Sequence, residues 1–153
     1  MFNYKIINKP KEIKINKKIA DFIFNDIWNN VNISQNWILN IVFVDDDQMK
    51  IFNNQYRWID STTDVLSFHY FDDFSRLKKK DIAWEILLSE SKIYSQSAEF
   101  WNSFEEEFYK LLIHSILHIL GFDHESEKDY ENMKKYENLT IKNIYENFGI
   151  KIN

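Results

Sequence analysis

Apolar residues recur at helical spacing over Ile13–Trp28, at Ile15, Ile19, Phe22, Ile23 and Ile27, which predicts an amphipathic helix. Four shorter stretches read as strands. Phe2–Ile7 alternates weakly, Ile38–Val44 is β-branched and apolar, and Val65–Tyr70 and Ile82–Leu88 follow. The acidic run Asp45–Asp47 caps a helix from about Gln48 to Tyr56. Ser91–Glu99 reads as a short helix. The strongest helical pattern is Ser103–Leu120, with Ser103 as N-cap and Glu105, Glu106 and Glu107 at its positive end. A last helix runs from about Glu127 to Asn147. Strands and helices interleave with no glycine-rich dinucleotide fingerprint, so the expected fold is α+β. It has a small mixed sheet of about four strands packed with helices, in one domain over residues 1–153.

Composition narrows the chemistry. The chain has no cysteine, which removes disulfides, thiolate ligands and cysteine nucleophiles together. No run approaches the length of a membrane span, and the first residues lack the apolar stretch of a signal peptide, so a cytoplasmic protein without membrane contact is expected. The net charge of −5 argues against a uniformly basic nucleic-acid binder. It is unevenly spread, however. Residues 1–20 carry six lysines and one glutamate, and Arg76, Lys78, Lys79 and Lys80 form a second basic cluster. Each reads as well as a solvated face as it does as an RNA contact.

Three of the four histidines fall within eleven residues, at His114, His118 and His124. Histidines at i and i+4 share one helix face and can reach one metal ion. Gly121 is suited to end the helix, so the chain can turn and bring His124 back as a third ligand. Three imidazoles without an evident fourth ligand describe a catalytic zinc site rather than a closed structural one, with one ion per chain. The spacing is shared with metzincin peptidases, in which a glutamate after the first histidine is the general base. Ser115 occupies that position and cannot take a proton from water at neutral pH.

A second polar constellation precedes the third strand and runs from Asn53 through Tyr56, Arg57, Asp60, Thr63 and Asp64 to Ser67 and His69. A guanidinium can fork onto two phosphate oxygens. Arg57 paired with Asp60 or Asp64, with Thr63 and Asp64 as turn-formers, is the simpler reading of the segment alone. Taken together, the motifs resemble the YbeY family of bacterial endoribonucleases. Asn53, Tyr56 and Arg57 match its N-x-x-Y-R, residues 63–68 its T-D-V-L-S-F, residues 84–89 its third strand motif, and residues 114–124 its three-histidine motif. Glu107 fits an acidic position of that family. The resemblance covers roughly residues 38–140. The chain departs from the pattern at His69, where proline is usual, and at Ser115 and Trp84, where glycine is usual. A tryptophan near a substrate cleft would narrow it.

The resemblance implies a zinc-dependent, single-strand-type endoribonuclease with a zincin-like metal helix. It would act in ribosomal RNA maturation and ribosome quality control, with the small ribosomal subunit or its assembly factors as partners. Zinc on the three histidines would activate water for attack on phosphorus, or act as Lewis acid while the RNA 2′-OH attacks. Arg57 would hold the scissile phosphate. Asp123 is a candidate partner for a ligand N–H, and Ser67 lies in the matched strand. His69 reads first as a packed strand residue, then as a fourth ligand or proton shuttle. Two other readings stand beside this one. A metallopeptidase or other zinc hydrolase would use Glu85 or Asp64 as base. A non-catalytic ribosome-assembly factor would have a structural zinc closed by His69.

Overall fold

The computed structural model describes residues 3–31, 38–70 and 81–153. Phe2 of the first predicted strand and the basic cluster from Arg76 to Lys80 lie outside the described residues. Among the described residues four strands form one sheet in the order β1 (Asn3–Ile7), β2 (Ile38–Val44), β4 (Ile82–Ser89), β3 (Val65–His69). β1, β2 and β4 are parallel, and β3 joins β4 antiparallel at an edge. The sheet is therefore mixed and the fold is α+β.

Alternation along the strands divides the sheet into two faces. On one face Leu39, Ile41 and Phe43 of β2 and Trp84, Ile86 and Leu88 of β4 enter the main core. Most of the helical side of that core comes from α1 (Lys17–Val31), α4 (Phe104–Ile119) and α5 (Glu127–Phe148). Phe108 of α4 stacks on Phe43 with ring centroids 5.8 Å apart. On the other face Val44, Leu66 and Leu87 gather around Met49 of α2 (Asp46–Arg57). The fifth helix, α3 (Glu90–Phe100), follows β4 directly, with Ser89 as its N-cap.

α4 is buried on almost every side, including Leu112, Ile113, Ser115, Ile116 and Leu117. Ser103 caps it as the sequence predicts, in a reciprocal box with Glu106. Its first turn is tied down by Glu107, a carboxylate 1% exposed that accepts a hydrogen bond from Asn102 Nδ2 at 2.8 Å. A helix fixed at this depth is a rigid platform for whatever its remaining face carries.

Two expectations need correction. The first helix begins at Lys17, not near Ile13. Ile13 is fully buried but sits in the preceding turn, and the Asn16 side chain caps the helix by accepting from the Lys18 N–H at 3.0 Å. Apolar spacing therefore continued past the true start. Trp84 does not narrow a cleft either. It is 6% exposed and packs in the main core, on the inner face of a strand flanked by β2 and β3.

Candidate active site

α4 carries Lys110, His114 and His118 at intervals of four residues, so all three lie along one face. After His118 the helix stops in a Schellman turn. Gly121 takes a φ of +92°, its N–H donates to the His118 carbonyl, and the Phe122 N–H reaches back to the Leu117 carbonyl. The turn then aims its own carbonyl at the ligand: His118 Nδ1 lies 3.0 Å from Phe122 O. Phe122 is held by an edge contact with Tyr136 of α5, centroids 5.0 Å apart. The same turn returns His124 to the helix, its ring centroid 5.0 Å from that of His118 and 6.1 Å from that of His114.

His114 is oriented from a different direction. Its Nδ1 lies 2.6 Å from Oε1 of Glu137 on α5, and Lys134 stands 3.2 Å from the second oxygen of that carboxylate. Burial works to raise the Glu137 carboxyl. The His114 contact and Lys134 outweigh it and hold the group below its ordinary range. The sequence reading missed Glu137, which sits on a helix rich in acidic residues. Its signal was an acid between Met133 and Ile141 at fourfold spacing on the face turned to the cleft.

These contacts decide the tautomers. A carboxylate takes the Nδ1 N–H of His114 and a carbonyl that of His118, so in each neutral ring Nε2 is the atom left with a lone pair. Those two atoms face each other at 3.0 Å. At that separation a cation has to stand between the two lone pairs, a proton or a metal ion. Burial, then the neighbouring His114 and His124, also hold His118 below the usual imidazole pKa and keep it neutral. Ligand atoms of His118, Asp123 and His124 lie within 4.8 Å of one another. The donor set of imidazoles and one carboxylate suits zinc. Asp123 thus stands among the possible ligands, beyond the supporting role expected for it, and its Oδ1 also accepts the His124 N–H at 2.6 Å.

A cleft of about 1210 Å³ opens over the histidines. Arg57, Asp64, Ser67 and His69 all line it with the three histidines. Arg57 is the last residue of α2, and the helix ends with Trp58 in the left-handed region at φ 55°. The simpler reading of Arg57 does not hold. Asp60 pairs with Lys50 at 3.6 Å, and Asp64 accepts from the Val65 N–H at 2.8 Å and from Gln96 Nε2 at 3.4 Å. Among the described residues Arg57 makes no ion pair.

Strand register separates the remaining candidates. Ser67 pairs with Ile86 and His69 with Trp84, on the side that meets α4. Glu85 pairs with Phe68 on the opposite side, where it takes the Asn40 amide at 3.4 Å. It is not brought to the histidines. Asp64 reaches the cleft wall, but its oxygens serve the start of β3 and α3. His69 lies outside the donor group of His118, Asp123 and His124, as does His114, which meets that group through its Nε2 3.0 Å from that of His118.

The family described as Endoribonuclease YbeY matches the chain over residues 5–145. The Endoribonuclease YbeY of Caldicellulosiruptor saccharolyticus is 35% identical over 148 residues, covering 90% of this chain and 94% of the relative. That of Petrotoga mobilis is 42% identical over 130 residues, covering 84% and 85%. Among solved structures, the solution structure of TM1509 from Thermotoga maritima superposes with a TM-score of 0.56 at 27% identity, covering 95% of this chain and 93% of that one.

Proposed function

Because the chain belongs to the YbeY endoribonuclease family, it is a hydrolase acting on RNA phosphodiester bonds, and we propose that it works with one zinc ion held by His114, His118 and His124. The observation that carries the zinc reading is the pair of Nε2 atoms 3.0 Å apart, each with its Nδ1 already committed to an acceptor. Zinc there supplies Lewis acidity and an activated water for attack at phosphorus.

The chain's own residues do the rest. Arg57, with no carboxylate partner among the described residues, takes the non-bridging oxygens of the scissile phosphate and offsets charge gained in the transition state. Glu137 and the Phe122 carbonyl hold two imidazoles in the ligand tautomer. Asp123 completes the donor set or accepts a proton at its free oxygen. The natural substrate is ribosomal RNA, presented within the small subunit or by its assembly factors in maturation and quality control. The net charge of −5 fits a substrate delivered by a particle better than one captured by charge alone.

The test is cleavage of a structured ribosomal RNA fragment by zinc-loaded protein, beside Arg57→Ala and His114→Ala. Cleavage lost in both, with Arg57→Ala still holding stoichiometric zinc, is expected. A well-folded, zinc-replete wild type that cuts no RNA would overturn the reading in favour of a docking factor.

A further inference from the structure

We infer that Phe100, Trp101 and Lys110 form a subsite for an unpaired nucleotide flanking the scissile phosphate, a proposal that rests on the nuclease reading above. Lys110 lies one turn before His114 on the same face of α4, about 6 Å along the axis. Both Lys110 and Phe100 line the cleft. The Lys110 ammonium sits 3.8 Å from the Phe100 ring centroid. Among the described residues it makes no ion pair, so its hydrogen-bond donors stay available to a phosphate. Phe100 keeps 39% exposure beside it.

Trp101 is the next residue in the chain after Phe100. It ends α3 in the left-handed region at φ 59°, a conformation that suits glycine and strains a residue bearing a Cβ. It is also 89% exposed, so no burial of the indole offsets the strain. An exposed aromatic that follows directly on the Phe100–Lys110 pair of the cleft wall has the chemistry of a base-stacking platform. A base must leave a duplex to use it, so the ligand class is single-stranded RNA. A docked protein would also cover an indole. It would have less use for a cation aligned with the histidines inside the cleft.

The experiment measures binding of a fluorescein-labelled 2′-O-methyl oligouridylate of about twelve nucleotides to the zinc-loaded protein at fixed salt. Phe100→Ala, Trp101→Gly and Lys110→Ala are each expected to weaken binding by about five- to a hundredfold. Zinc content stays unchanged. Trp101→Gly separates function from structure, because it is expected to raise the thermal midpoint while weakening RNA binding. Single-strand binding equal to wild type in all three variants would overturn the proposal and leave this face to a protein partner. Equal losses for a duplex of the same length would also overturn it. A wild type that neither binds nor cleaves RNA would remove the nuclease reading and the subsite with it.

Discussion

Glu137 Oε1 lies 2.6 Å from His114 Nδ1, so α5 orients a ligand that α4 carries. Removing a carboxylate behind a ligating histidine lowers metal affinity by about 10–100-fold. Glu137→Ala is expected to fall in that range in a chelator-competition titration with zinc. Glu137→Gln, which keeps an acceptor oxygen, should lose less. Unchanged affinity in the alanine variant would show that His114 is held by α4 alone.

Arg57→Ala should retain zinc and lose about 10²–10³-fold in the rate constant for RNA cleavage, the usual cost of removing one donor to developing charge. Arg57→Lys should recover only part of it, since an ammonium cannot fork onto two oxygens. Full activity in the lysine variant would reduce the role of Arg57 to its charge.

Chelated protein should lose stability in two stages on acidification. Unfolded His118 takes up a proton near 6.5, while burial and then the neighbouring His114 and His124 hold the folded group lower. As pH falls below 6.5 the unfolded chain binds the extra proton, and stability declines. Glu137 adds a second loss. Its folded carboxyl is depressed, so its contribution is present above its ordinary value of 4.5 and disappears as pH falls through the folded value. Urea midpoints between pH 7 and about pH 3 check this, and Glu137→Gln should abolish the lower stage alone.

Gly121→Ala should destabilise the fold by about 1–2 kcal/mol through the backbone alone. Nothing lies within 4 Å of the added Cβ, but φ is +92°. Chemical denaturation measures the loss. A neutral substitution would mean that the turn after His118 can re-form with another geometry.

Most element positions were readable because their signals are local. Ser103 marks a helix start where it was expected, and the acidic run caps the second helix from its first member, Asp45, two residues ahead of the expected start. Ile38–Val44 is a strand over its whole expected length. The three histidines and Arg57 were visible for the same reason, as spacing along a helix and a motif at a helix end. What depended on pairing was hidden. Nothing in the order of residues states that β3 turns Ser67 towards α4 and Glu85 away from it, since that follows from the antiparallel register with β4. Glu137 was missed because its partner is 23 residues away on another helix. The tie of Asp60 to Lys50, which leaves Arg57 to the cleft, is likewise a tertiary fact.

Ser115 has no exposed surface, and its hydroxyl donates to the Leu111 carbonyl at 2.7 Å inside the helix. A glutamate there would place a charge in the core, not beside the histidines. This scaffold therefore stands more than one substitution from a peptidase of the same histidine spacing. A lineage moving between the two chemistries would have to rotate or repack the helix before a new base could act.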